Sequence, residues 1–418
     1  MRLATALVGP VFLLLCFASP VSAENGEGVV QTIAGSGISG VADGESLRAQ
    51  FLMPAGVAVG SGKIYVSDSA AQRIKAILPS GIVRTVAGGG PLVDSGLYVR
   101  GGYRDGAALQ ARFNRPTGIA LGQHGELYIA DTYNHCIRVL SPDGRVSTFA
   151  GNARKPGLRD GPRPVAQFTR PLGIATDTEG NLYVADVQLR KITPTGDVVS
   201  LPFGSTPLAV AVKNRTLFIS DLIGIVVVAP DGTQKLFPST PVRRQCNTGN
   251  PAFASLCKSA ERLSGDAFLG FPLGIAALSR TRVMFTDVRS DTIRTLDIVT
   301  KNVDVVGGVA NEDFSADGGG YRNGPMSASR YNAPYGLAVD ATGRVLLADA
   351  GNKRIRSIQL DEHPTDPSTA SIVIFGGPSV YYATTWPQSI AALVQSDLNR
   401  KGRPVAVAAQ IDQQNTGD

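Results

Sequence analysis

Asp131, His135, Cys136 and Arg138 stand within eight residues of one another in LYIADTYNHCIR, residues 127–138. A carboxylate, an imidazole, a thiol and a guanidinium at such spacing are the parts of an activated nucleophile or of a metal site. A second candidate nucleophile is Ser379, in Gly376-Gly377-Pro378-Ser379. A serine hydroxyl there needs a base to take its proton. Arg115 and Arg170 each immediately precede a proline. Two guanidiniums near the starts of neighbouring strands are candidates for binding carboxylate or phosphate groups. The elements that must position these groups decide among the readings.

The first group is one copy of a repeated unit. LYIAD returns as IYVSD, LYVAD, LFISD, VMFTD and VLLAD, ending at Asp68, Asp186, Asp221, Asp287 and Asp349. Ahead of the six aspartates lie Pro54, Pro116, Pro171, Pro207, Pro272 and Pro334, always 14 or 15 positions earlier. A glycine follows each proline two positions on, except in the fourth copy, where Ala209 stands. A fixed offset kept six times points to a scaffold. Asp131 and its neighbours are therefore expected to hold a repeat together rather than to react.

Each copy spells four short runs rich in β-branched and aromatic residues, bounded by turn residues such as Pro142-Asp143-Gly144. After a Pro-x-Gly turn comes an apolar strand, then the LYVAD-type strand, an Ile-Arg strand and a strand ending like VSTFAG. Four strands written six times describe an all-β fold, a six-bladed β-propeller. A longer lead-in segment precedes four copies, with Asp43, Asp105, Asp160 and Asn323 each eleven positions before the proline. Asp-Gly or Asn-Gly makes a tight turn, and the Phe or Tyr that follows is expected to plug between blades. These lead-ins are expected to line one face of the disc. VVQTIAG, residues 29–35, matches a blade-ending strand yet precedes the first copy. It is expected to pair with the last blade and close the ring without a free edge.

Pro-x-Gly-Ile-Ala, Leu-Tyr-Val-Ala-Asp and Asn-x-x-Ile-Arg together resemble the NHL repeat, over residues 29 to 360. The likeness is fullest in copy two (Asp131, Asn134, Ile137, Arg138) and copy six (Asp349, Asn352, Ile355, Arg356). Copy four departs, with GIVVVAP in place of the Ile-Arg strand. The resemblance implies a propeller that binds or scaffolds. Some propellers of this architecture are metal-dependent lyases or lactonases, which need several His or a Glu/Asn/Asp cluster on the axis. The three histidines here are His124 in a hairpin, His135 in the outer part of a blade and His363 beyond the last blade. No axial metal and no cofactor are expected.

Arg2, an apolar run and Val21-Ser22-Ala23 read as a secretory signal peptide over residues 1–23. The mature chain is then expected in the periplasm or outside the cell, with no insertion into a membrane. Leu15 before Cys16 does not fit a lipobox. In an oxidising compartment Cys246 and Cys257 can close a loop, and the bridge is expected over two unpaired thiols. Cys136 is left as a buried small hydrophobe. The formal charge of +6 is spread along the sequence without a Lys-Arg block, which argues against nucleic-acid binding.

The propeller is assigned residues 24–362, a polar linker 363–370, and a different segment 371–418. SIVIFGGPSVYY, a helix opening at Pro387 and a strand from Val405 to Ala409 read as an α/β opening. This tail resembles the start of an SGNH-type esterase, which places Ser379 as nucleophile. No His follows Ser379, so no triad forms and no catalysis is expected. The leading expectation is an exported module for protein or polysaccharide ligands. The alternative is the propeller part of a truncated SGNH-type esterase or acyltransferase.

Overall fold

A computed structural model describes residues 28–90, 92–93, 98–239, 263, 269–308 and 320–360, with three short strands beyond. Six antiparallel sheets form the blades. Blade 2 is typical, with strands Pro116–Leu121, Leu127–Asp131, Cys136–Leu140 and Arg145–Ala150 from inside to outside. The inner strands are Pro54–Gly60, Pro116–Leu121, Ile174–Thr176, Pro207–Lys213, Pro272–Ala277 and Pro334–Val339. Each packs on the next, and the sixth returns to the first. The chain is an all-β six-bladed propeller.

Four of the five Pro-x-Gly segments, expected as turns, are the first residues of the inner strands, as is Pro207-Leu208-Ala209 in blade 4. Proline pairs with the motif aspartate, as in Pro116↔Asp131 and Pro334↔Asp349, and a bulge follows it. The glycine serves space rather than a turn. A Cβ on Gly56, Gly118, Gly274 or Gly336 would collide with the carbonyl of Thr117, Leu172, Tyr335 or Ala55 on the next blade. Close approach lets neighbouring inner strands bond directly, as Gly118 N–H does to the Leu172 carbonyl at 2.8 Å. Hydroxyls add further stitches. Thr117 Oγ1 donates to Leu172 O (3.0 Å), Ser220 Oγ to Leu273 O (2.8 Å) and Thr286 Oγ1 to Tyr335 O (3.0 Å).

Ring closure follows the expectation. Val29–Ala34 forms the outer strand of blade 6, antiparallel to Arg354–Gln359, with Val30↔Ile358 and Thr32↔Arg356 in register. Arg354 secures the join. Its Nη2 donates to Ser36 O at 2.8 Å while its guanidinium lies 3.8 Å from the Tyr321 ring centre.

The lead-ins do plug between blades. Each first adds a two-residue strand to the outer edge of its own blade, as Gly106–Ala107 does beside Arg145–Val146. The chain then turns back inward between two blades. Phe113 sits in a core shared by Ile74 and Ala87 of blade 1 and Ile119 and Ile129 of blade 2. Phe51, Phe168 and Tyr331 do the same at their junctions, and all four rings are at most 1% exposed. The Asp-Gly turn is likewise a strand start.

Residues 361–418 form a separate compact unit. Ile372–Gly376 pairs antiparallel with Ser379–Ala383 and with Val407–Ala408. Ser379 thus opens a strand opposite Gly376. The expected signal peptide, linker, His363 and the helix after Pro387 lie outside the described residues.

Candidate functional site

The opening constellation is enclosed. Asp131 is fully buried and accepts from Asn114 N–H (2.7 Å), Asn134 Nδ2 (2.8 Å) and Arg138 Nη1 (2.9 Å). Arg138, also fully buried, reaches across to Asp105 of the lead-in and to the carbonyls of Arg104 and Arg112. Its guanidinium lies 5.3 Å from the Phe113 ring centre. Burial pushes Asp131 up to about 6, opposed by Arg138 and the hydrogen bonds. Burial, and then Asp131, hold the Cys136 thiol well above its ordinary range. A thiol kept neutral in the core is no nucleophile.

The same assembly recurs. Lys75 pairs with Asp43 and Phe51, Arg190 with Asp160 and Phe168, and Arg356 with Asn323 and Tyr331. Each lead-in therefore supplies an anionic or amide oxygen and an aromatic ring to one buried cation. Blade 3 lacks three residues after Asp186, yet the ladder absorbs the loss in the turn. Val184↔Arg190 occupies the register position of Ile129↔Arg138.

His135 is not in the outer part of its blade. It turns the chain between strands with φ 57°, the left-handed position also taken by Gln72, Asp291 and Lys353. From there Nδ1 meets the Thr169 carbonyl of the next blade at 2.5 Å. Gln72 and Asp291 reach forward likewise, accepting from Arg115 N–H (2.6 Å) and Ala333 N–H (2.7 Å). These side chains lock blade to blade.

Blade 4 has no lead-in of this kind, and Val226 replaces the cation. Asp221 accepts from the N–H groups of Ile223 and Gly224 on Oδ1 and from the Ser205 hydroxyl, and burial outweighs these bonds and pushes its carboxyl up to about 7. Such a group takes up a proton on folding, so its contribution is full at low pH and lost as pH rises from about 4 to about 7. Asp221→Asn should flatten that limb of the stability curve. At pH 8 the variant should exceed the parent by up to about 4 kcal/mol, the two converging near pH 4. Superimposable urea midpoints across this range would contradict the assignment.

The chemistry left accessible lies on the axis. A cavity of about 120 Å³ is lined by Ala55, Thr117, Leu172, Leu208, Leu273 and Tyr335, the residue after the proline in each of the six copies. Met53 also lines it. Its wall is apolar apart from two hydroxyls. Because proline pairs with the motif aspartate, the turns between second and third strands surround the same end. Tyr133 and Leu222, on those turns, are 50% and 51% exposed.

Arg115 belongs to this end. Its Nη1 lies 3.9 Å from Met53 Sδ, and its guanidinium 5.9 Å from the Tyr133 ring centre. Arg170 is exposed, and its backbone N–H donates to Asp186. No contact joins the two guanidiniums. Cys246 and Cys257 lie outside the described residues. Among the described residues no group of three His, Cys, Asp or Glu converges as a metal site.

The charge is less even than expected. Residues 100–170 carry eleven Lys/Arg against five Asp/Glu, a net +6, which equals the formal charge of the whole chain.

Six blades, an N-terminal closing strand and a repeated Asp–Arg lock define an NHL-type propeller architecture. Residues 113–140 match the NHL repeat family. The chloroplastic protein SUPPRESSOR OF QUENCHING 1 of Arabidopsis thaliana is 26% identical over 296 residues, 62% of this chain and 26% of that protein. NHL repeat-containing protein 2 of Gallus gallus is 31% identical over 155 residues, 35% of this chain and 21% of that one. The chain thus spans about a quarter of the length of these relatives. Among solved structures, a protein of unknown function from Bacteroides thetaiotaomicron VPI-5482 superposes with a TM-score of 0.56 at 18% identity. That likeness covers 79% of this chain and 76% of the other.

Proposed function

We propose that the protein is an exported binding module whose ligand face is the proline end of the ring, centred on the axial cavity. The observation that carries this reading is the cavity wall. Its six x positions present Ala, Thr, Leu, Leu, Leu and Tyr, with Arg115 beside Met53 at the mouth. An apolar wall with one flanking guanidinium suits an apolar group that carries a negative charge nearby. A side chain of a protein ligand or a substituent on a polymer has that form. The wall offers two hydroxyls and no carboxylate, imidazole or thiol, so it favours holding over turnover.

Anilinonaphthalene sulfonate, an apolar ring system bearing one anion, is a suitable probe. Titration should give saturable fluorescence with one site. Leu208→Asp or Leu273→Asp should weaken binding about tenfold or more, as loss of one buried apolar anchor implies. Arg115→Gln should weaken it less. Saturable binding that survives both leucine substitutions would place the ligand face elsewhere.

A further inference from the structure

The excess positive charge is a surface feature with an internal cause. In the lead-ins of blades 2 and 3 the nearby acids are already committed. Asp105 holds the buried Arg138, and Asp160 holds the buried Arg190. The cations around them are left without counter-ions. Arg104, Arg154 and Lys155 are exposed, Arg112 and Arg115 half-buried. None of the five forms an ion pair among the described residues.

Backbone geometry gathers them. Arg104 and Arg112 face each other across an antiparallel bridge, where like charges destabilise the pair. Arg154, in the loop that leads to blade 3, comes back over the same place. Its N–H donates to Asn134 O at 3.0 Å, and its guanidinium lies 5.4 Å from the Tyr103 ring centre. Lys155 follows it directly. Arg115 lies at the inner end of the blade 2 lead-in, beside the channel-lining Met53. A line of cations thus runs from the rim between blades 1, 2 and 3 toward the axis.

We propose that this track binds an anionic polysaccharide, a chain carrying carboxylate or sulfate groups at regular intervals. Arginine forks match such oxyanions with two donors at once. A single-stranded nucleic acid would need open aromatic faces for its bases. The two rings along the track, Tyr103 and Tyr133, already carry guanidiniums: Arg138 at 4.8 Å and Arg154 at 5.4 Å on Tyr103, Arg115 at 5.9 Å on Tyr133. Export, proposed above, favours the glycan as well. The track does not depend on the axial cavity.

The test uses the full chain with polygalacturonate, heparin and single-stranded DNA of similar length as probes, in a salt titration. Binding to at least one glycan should be measurable at low salt and should fall steeply with added NaCl. Arg104→Gln with Arg154→Gln should weaken it about tenfold or more and flatten the salt dependence, as lost oxyanion contacts do. Lys63→Gln with Lys213→Gln, which removes equal charge from exposed hairpins of blades 1 and 4, should leave it within about twofold. Anilinonaphthalene sulfonate binding should be unchanged in both variants, separating this site from the axial one. No glycan binding, equal loss in both variants, or tighter binding to DNA than to either glycan would each overturn the proposal.

Discussion

Replacing Arg138 with alanine should lower the free energy of unfolding by about 3–5 kcal/mol. Arg138 is fully buried and closes on Asp131 and Asp105 while lying over Phe113. Its removal leaves Asp131 buried with no cation and withdraws the donor from the carbonyls of Arg104 and Arg112. The lead-in is then released from the junction of blades 1 and 2. Asp131→Ala should cost a similar amount, because it strands the guanidinium instead. The double variant Asp131→Asn with Arg138→Met should lose less than the two single costs added, since the charges vanish together. Blade 4 is the natural counterpart, with Val226 at this register position. Urea unfolding of the four proteins measures the set. Single variants within about 0.5 kcal/mol of the parent would mean that the pair behaves as a surface salt bridge.

Gly118→Ala carries the second large effect, about 3 kcal/mol or more, from one methyl group. The new Cβ would meet the Leu172 carbonyl and the Gly173 Cα of blade 3, and backbone cannot step aside as a side chain can. The inner strands would have to part where Gly118 N–H bonds Leu172 O. Gly144→Ala is the matched control. That glycine has φ 81° and nothing within 4 Å of an added Cβ, so only backbone strain of about 1 kcal/mol is expected. Melting curves should rank Gly118→Ala well below Gly144→Ala. The reverse order would mean that the Pro-x-Gly glycine serves conformation and not interblade contact.

Blade number, strand order and ring closure were legible because they are written as repetition. Six prolines and six aspartates at one offset leave little freedom, and VVQTIAG is a blade strand out of place. The partners of each repeated residue were less legible. Asp105 and Arg138 are 33 positions apart, and their meeting depends on the lead-in doubling back from the rim. A signal for it did exist within the repeats, since copy four lacks both the lead-in and the strand cation. Pro-x-Gly looked like a turn because those residues favour turns, while the real demand on glycine comes from a neighbouring blade and has no local signature. The x positions hid for a related reason. Ala55, Thr117, Leu172, Leu208, Leu273 and Tyr335 share no residue type, and only their placement on the axis makes them a wall. Arg115, set apart in the sequence by its place before a proline, has its guanidinium beside Met53 of that wall.

All of this rests on a ring shut by residues from opposite ends of the propeller. Without that strand blade 6 would lose its outer edge, and the axial wall would lose its fixed shape. Hydrogen exchange at the amides of Val29 and Gln31 tests it most directly. Paired with Gln359 and Ser357, and facing that strand as alternate residues do, they should exchange in the slowest class, together with the middle strands of the other blades. Exchange at the rate of a frayed terminus, while the blades stay protected, would contradict a ring closed by this strand.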